Sequence, residues 1–431
     1  VTAATAAPAA PLTASSRAPV TASRAAPPAG SYVHVPFCVS HCPYCDFVVV
    51  AGREARGPGN RIGRFLEALE VELGLRADAL DAAWGPVGGT TRPPVDTLYL
   101  GGGTPSLLPA TAVGRLIGIV RERFGLAPGA EVTLEANPGP DERGDARALR
   151  DAGVTRLSIG AQSMDLEELR RLGRRHAPGD VAATVAAARD AGIGSISVDL
   201  LYDVPGGSLE TWVRTLDAAL DLLPDHLSLY ALTLDDPDAE GITGPGGDHL
   251  PTPPGARRWR ERARIEQEDD RAAAMYELAD RRLAAAGFDW YEISNWSRPG
   301  HRSRHNLGYW EGRPWAAVGP GAHGFDGVAR TWNAARLDGY IAALAPADGT
   351  PPTMPPGGRQ QDDPSARTGE AAMLALRTSA GLPATDLDDP SIGAALRWAL
   401  DARLLEQTAT DRLVFTLRGR LLSNEVFVRL V

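Results

Sequence analysis

From Ser31 onward the apolar positions of the chain repeat one pattern: a short run rich in β-branched residues, a turn or glycine cluster, then a stretch with apolar residues at helical spacing. The short runs are Ser31 to Pro36, Val95 to Leu100, Glu131 to Glu135, Arg156 to Ile159, Ser195 to Leu201 and His226 to Leu232. Helical periodicity between them is clearest over Thr111 to Phe124, Val181 to Ala191 and Leu209 to Leu223. Strands that alternate with helices predict a parallel sheet, closed or partly closed as a (β/α) barrel.

Each run ends in residues with chemical character: His34-Val35-Pro36-Phe37-Cys38, Gly101-Gly102-Gly103-Thr104, Glu135-Ala136-Asn137-Pro138, Gly160-Ala161-Gln162-Ser163 and Asp199-Leu200-Leu201-Tyr202. In a parallel barrel these ends share one face, which is therefore the predicted site. After Leu234 the texture changes to Gly, Pro and Asp, and 241–255 reads as an inserted loop. A helix over Arg258 to Gly287 and strands at Asp289 to Asn295 and Val328 to Asn333 follow. The domain reading is a disordered Ala/Pro-rich tail over 1–30, a barrel over 31–240, a loop and His/Gly/Trp-rich region over 241–345, and a Pro/Gly linker over 346–364. A small α+β, winged-helix-like module over 365–431 ends the chain.

Composition narrows the chemistry. The chain of 431 residues is 43% apolar and carries a formal charge of -10, which argues against a nucleic-acid-wrapping protein, since phosphate neutralisation needs clustered basic side chains. Apolar runs such as Phe47 to Ala51 fall far short of the roughly 20 residues that cross a bilayer, so no membrane span is expected. Every basic residue is Arg and none is Lys, which excludes a pyridoxal phosphate aldimine, a catalytic Schiff base and a P-loop lysine. The 3 cysteines imply a reducing compartment, and a cytoplasmic protein is expected.

Those cysteines form one motif, Cys38-x3-Cys42-x2-Cys45. Three thiolates on one loop suit one face of an iron-sulfur cubane whose fourth iron stays open. A zinc ion held by the three thiolates with His41 or His34 is the competing reading, but structural zinc sites want four ligands and usually come as paired half-sites.

The cysteine loop, with Tyr44 just before the last cysteine, resembles the signature of the radical S-adenosylmethionine (SAM) superfamily. Tyr32-Val33-His34-Val35-Pro36-Phe37-Cys38 is similar to the branch of oxygen-independent coproporphyrinogen III oxidase-like proteins, and so are the glycine, Glu135, Gln162 and Leu172-Gly173-Arg174 motifs and Leu421-Leu422-Ser423-Asn424. The resemblance implies a partial (β/α)6 radical SAM barrel with a C-terminal α+β extension, a 4Fe-4S cluster on Cys38, Cys42 and Cys45, and reductive cleavage of SAM. It implies SAM contacts from Tyr32, Tyr44, Gly102, Gly103, Thr104, Glu135, Gln162, Arg174 and Asp199. Glycines permit close approach, carboxylates suit an ammonium or ribose, and a guanidinium suits a carboxylate.

Two features of the oxidases that this family contains are missing here: a further cysteine two residues past the third, where Phe47 stands, and an ordered N-terminal extension. The sister group of heme chaperones lacks both and has a His-Asn-x-x-Tyr-Trp motif, present as His305-Asn306-Leu307-Gly308-Tyr309-Trp310. That resemblance implies heme bound by His305, Tyr309 and Trp310, with imidazole on the iron and aromatic surface for the macrocycle. It implies delivery to respiratory hemoproteins, and leaves open a homodimer and peripheral association with membrane-bound acceptors. The alternative is radical decarboxylation of coproporphyrinogen III propionates. Asp203-Val204-Pro205 departs from the family's Gly-Leu-Pro and puts the local turn in question.

Overall fold

Residues 25–235 and 237–431 are described by the computed structural model. The six apolar runs are six parallel strands: β1 (Gly30–Val35), β2 (Val95–Gly102), β3 (Leu126–Ala136), β4 (Arg156–Gln162), β5 (Ser195–Tyr202) and β6 (His226–Ala231), neighbours in that order. On the far side of β6 lies a hairpin of β7 (Asp289–Glu292) and β8 (Asn295–Ser297), joined through β8. On the far side of β1, β9 (Trp315–Val318) pairs in parallel and continues into antiparallel β10 (His323–Phe325), β11 (Ala329–Asn333) and β12 (Gly357–Gln361). Strands β1 and β6 thus bond outward to β9 and β8, and the parallel staves form an arc within one 12-stranded sheet.

Both faces of parallel strands are covered, so their apolar residues need not alternate. Val33, Val35, Leu98, Leu100, Leu134, Ile159 and Val198 pack with Phe65, Leu69, Leu116 and Leu216 from the helices in one continuous core. Burying one such side chain contributes about 1.5–3 kcal/mol. Polar punctuation sets the crossover helices. Asp145 caps Ala146–Ala152, Asp165 caps Leu166–Arg171 and Ser208 caps Leu209–Leu220, each accepting from first-turn N–H groups.

A long helix, Ile62–Trp84, fills the interval between the first two runs, where the helical period is less clear than in the later intervals; Glu72, Arg76 and Asp81 interrupt its apolar face but are bonded within the fold. Several expectations need correction. The helix expected over 258–287 is two, Pro254–Glu266 and Asp269–Ala285, broken where Gln267 donates to Leu232 O and the Glu268 N–H to Asp203. Asp269 and Asp270 then open the second helix, where acidic side chains favour a helix start. The linker contains strand β12, whose Gly357 and Gly358 lie so close to Trp332 that no Cβ would fit. Residues 1–24 lie outside the described residues, and with them most of the expected tail. From Ala26, whose N–H donates to Asp326 O at 2.8 Å, the chain is bonded to the fold.

Asp203, where the resemblance led to an expected glycine, occupies the left-handed region at φ 56°, a conformation that glycine adopts without strain. An Arg271 Nε bond at 2.8 Å anchors its carboxylate. The C-terminal module packs helices Arg367–Leu376, Gly393–Asp401 and Ser423–Leu430 around a three-stranded antiparallel sheet, with its own core of Leu376, Leu396, Leu413 and Val426.

The fully buried carboxylate of Glu72 accepts from Tyr340 OH at 2.7 Å, Gly319 N–H at 2.8 Å, Asn333 Nδ2 at 2.8 Å and Arg76 at 3.0 Å. Removing it strands several buried donors at once. Glu72→Ala is expected to destabilise the chain by about 3–5 kcal/mol, whereas removing the exposed Glu210–Arg214 pair is expected to cost about 0.5 kcal/mol or less. Urea unfolding of the two variants checks this, and equal effects would refute the role given to Glu72.

Candidate functional site

The C-terminal ends of β2 to β6 and the cysteine loop enclose a cavity of about 340 Å³. Cys38, Cys42, Tyr44, Cys45, Gly102, Gly103, Glu135, Gln162, Arg174 and Asp199 all line it. Thr104 sits behind the cysteines, with Oγ1 3.2 Å from Cys38 Sγ and 2.9 Å from Asn137 Nδ2. Tyr32 is not part of this lining: it shares a face of β1 with His34, with its hydroxyl 3.0 Å from His34 Nδ1 and its ring 6.1 Å from that of Tyr99.

Three devices hold the cysteine loop. Its backbone turns on itself through Cys45 N–H to Cys42 O at 3.1 Å. Arg174 Nη1 lies 3.7 Å from Cys42 Sγ, while its Nη2 donates to Asn137 Oδ1 at 2.6 Å and Gly160 O at 2.8 Å. The buried Arg260, which sequence reading did not single out, reaches over from the helix after the inserted loop and donates to Pro43 O at 3.0 Å and Cys45 O at 2.8 Å. Only its place in an Arg-rich helix was visible in sequence. Asn137 had appeared only as part of a motif.

The glycine run is required by packing against β1. A Cβ on Gly103 would lie 2.7 Å from Phe37 O and 2.9 Å from Val35 O, and one on Gly102 would strike the His34 ring. The close approach lets Gly103 N–H reach Val35 O and Thr104 N–H reach Phe37 O, both at 2.8 Å. The missing side chains thus serve the strand that launches the cysteine loop. Gln162, at the end of β4, takes φ 67°, an uncommon value for a residue with a side chain.

Burial dominates the electrostatics. It pushes the Cys38 thiol up to about 12, against a hydrogen bond from Thr104 that lowers it, and it raises Cys45 as well. Thiols so placed stay protonated until a metal centre stabilises their thiolates. Burial likewise raises Asp199, although Ser158 and Ser197 donate to it at 2.8 and 3.0 Å. Glu135 is raised to about 7 by burial, partly offset by donors Tyr99 OH at 2.7 Å and Gly102 N–H at 2.8 Å. Arg174 Nε is buried without a partner among the described residues. Three thiols, an unused guanidinium donor and two carboxylates fit a cluster together with a zwitterionic amino-acid ligand. A mononuclear zinc site fits less well: among the described residues no three His, Cys, Asp or Glu converge on a single ion, and both His34 nitrogens are engaged, Nε2 with Val48 O at 2.9 Å.

The His305 motif is split by its helix, Arg304–Trp310. His305 is buried, stacks on Tyr99 at 5.1 Å, and places Nδ1 2.9 Å from Thr97 Oγ1 and Nε2 2.8 Å from Tyr309 OH. Burial lowers its pKa to about 3. In this arrangement an iron could take His305 only if Thr97 or Tyr309 let go. Asn306 lines the cysteine cavity. Tyr309 lines a second cavity of about 320 Å³, with Tyr32, His34, Phe47, His249, Trp315 and His323 among its walls. Trp310 points to neither; Arg377 of the C-terminal module lies 5.4 Å from its ring centroid, and Glu292 is beside it.

A parallel α/β arc with three thiols on the loop after its first strand defines a radical SAM protein. The radical SAM superfamily profile matches residues 32–219. The heme chaperone HemW of Mycobacterium tuberculosis is 42% identical over 402 residues, 93% of this chain and 94% of that protein. HemW of Bacillus subtilis is 30% identical over 92% of this chain and 97% of its own length, and HemW of Escherichia coli 34% over 69% and 70%. The chain belongs to the HemW family. A solved structure of coproporphyrinogen III oxidase (HemN) from Escherichia coli, described as a radical SAM enzyme, shares the fold, with a TM-score of 0.73 over 94% of this chain and 90% of that one at 21% identity.

The raised Glu135 gives a pH test. Its folded value, about 7, exceeds the ordinary 4.5, so folding takes up a proton between these values. The ionised carboxylate therefore costs stability above pH 7, and the cost vanishes as the pH falls towards 4.5. In cofactor-free protein, Glu135→Gln is expected to be more stable than wild type by roughly 2 kcal/mol at pH 8, with the gain lost by pH 4.5. Unfolding midpoints across this range check it; a difference that does not change with pH would contradict the assignment.

Proposed function

We propose that this chain is a heme chaperone, which binds heme and passes it to respiratory hemoproteins, rather than an oxidase of coproporphyrinogen III. The observation that carries this reading is Phe47. At the position where the oxidases of the wider family carry a further cysteine, this chain presents a phenyl ring, 59% exposed, that lines both cavities. Where those oxidases have a thiol, this chain thereby presents an apolar side chain shared by two chambers. The end-to-end likeness to HemW supports the same reading.

Cys38, Cys42 and Cys45 would hold the 4Fe-4S cluster, and the unpaired Arg174 Nε, Glu135 and Asp199 would receive the charged and hydroxyl groups of SAM. Tyr44, Gln162, Gly102 and Gly103 complete that wall, Thr104 backs the cysteines, and Tyr32 stands behind Tyr99. When bound, the cluster and SAM supply one-electron cleavage chemistry, while the protein orients them and excludes water. The chain's own task is to keep the loop in place through Arg260 and Arg174. Heme is the cargo, taken up in the region of His305, Tyr309 and Trp310. The reading places the protein in the cytoplasm and leaves room for a homodimer and, separately, for peripheral association with membrane-bound acceptors; no helix among the described residues is long and apolar enough to cross a membrane.

Anaerobic reconstitution is expected to load about four iron per chain, and Cys38→Ala, Cys42→Ala or Cys45→Ala to abolish loading. Zinc uptake without iron would sink the cluster. Reconstituted protein is expected to develop a Soret band with hemin and to leave coproporphyrinogen III unchanged in the presence of SAM and reductant. Formation of protoporphyrinogen at a useful rate would establish the oxidase instead.

A further inference from the structure

The second cavity contains a histidine that neither the cluster chemistry nor the His305 motif uses. Asp248 and His249 sit on the inserted loop, which is seated firmly. Trp332 Nε1 donates to Gly246 O at 3.2 Å and Ala335 N–H to Gly247 O at 2.9 Å. A Cβ on Gly321 would lie 3.1 Å from Asp248 O, so the loop rests directly on the turn between β9 and β10.

Three histidines face this cavity, and their hydrogen bonds distinguish them. His34 has both nitrogens engaged. His323, stacked at 6.1 Å on Trp332, spends its distal Nε2 on Asp248 Oδ2 at 2.8 Å, which leaves it only Nδ1, the nitrogen beside its own backbone. His249 turns Nδ1 to Asp248 Oδ1 at 3.2 Å, and no described residue bonds its Nε2. A carboxylate that accepts from Nδ1 fixes the tautomer, orients the ring and makes the other nitrogen a better donor to a metal, an arrangement that recurs behind metal-bound histidines. The remaining walls are flat and apolar: Tyr309 and Trp315 meet edge to face at 4.6 Å, with Tyr32 and Phe47 beside them. At about 320 Å³ the cavity is near the lower end of small-molecule pockets, roughly 300–1,000 Å³. It would therefore take part of a planar macrocycle and leave its carboxylate edge in solvent.

We propose that the second cavity is the heme seat, with His249 Nε2 as the iron ligand, and that His305 is a positioning residue that acts through Tyr309. The inference rests on the heme-chaperone reading. His305 Nε2 holds Tyr309 OH at 2.8 Å, so the motif builds the wall against which the ring system lies. Because Phe47 lines both cavities and the Tyr32 ring of this seat lies 6.1 Å from the Tyr99 ring of the other, heme would sit next to the cluster cavity without entering it.

The test is hemin titration of the full chain, followed by Soret position and by the low-spin or high-spin signature of the ferric complex. His249→Ala, a change on a half-exposed loop residue, is expected to weaken hemin about tenfold or more and to remove the imidazole-ligation signature, which free imidazole restores. His305→Ala is expected to lower affinity while keeping that signature, and His305→Gln, able to bond Tyr309, to recover part of the affinity. If wild type binds no hemin, the chaperone reading falls with it. If wild type binds and His249→Ala keeps the wild-type signature while His305→Ala loses it, the chaperone reading stands and the seat proposed here is overturned. Retention of the signature in both variants likewise overturns it.

Discussion

A single buried carboxylate fixes the frame on which both cavities depend. Glu72 projects from the helix behind β1 and gathers donors from the Gly319 turn, from β11 and from the helix Leu337–Leu344. The Gly319 turn, held this way, presses on β1: a Cβ at Gly319 would lie 2.4 Å from His34 O. The His34 ring in turn fills the space a Cβ on Gly102 would need. One chain of contacts therefore runs from the outer helix through the second cavity to the strand end that launches the cysteines. A buried charge is tolerated there because it is saturated by donors, and for the same reason it specifies a single arrangement of four segments.

Much of the arc was legible because parallel strands covered on both faces are written as uninterrupted β-branched runs, and because glycine and polar clusters mark where they end. The six runs and the observed strands differ mainly at their ends. The cysteine loop was legible for a different reason: local spacing alone brings its three thiols to one surface. What escaped was whatever depended on long-range partners. Helix Ile62–Trp84 buries a glutamate, which reads as a solvent position until Tyr340 and Asn333 are known. Arg260 looked like one of many surface arginines, and only the fold brings Pro43 and Cys45 beneath it. The linker hid a strand because its glycines, which sequence reading takes as breakers, are what allow it to lie against Trp332.

The His305 motif shows the same limit within a functional element. Six consecutive residues suggest one recognition surface, but a helix turns successive side chains by about 100°. Asn306 thus faces the cysteine cavity, Tyr309 the second cavity and Trp310 the C-terminal module. The motif joins three compartments of the molecule, and Asp203 joins two others, meeting Arg271 from the helix that covers β5 and β6.

The strand hidden in the linker has a consequence for behaviour in a crowded solution. As the last strand of the sheet among the described residues, β12 has one side to which no further described strand is bonded. Such an edge is a template for a stranger's backbone. Here it is short, begins with two glycines and carries Arg359, paired to Asp326 at 3.0 Å, flanked by polar Gln360 and Gln361. An incoming strand would have to desolvate that ion pair and would find little apolar surface in return. The sheet is thereby guarded against open-ended stacking at the margin where its long run of strands comes to an end.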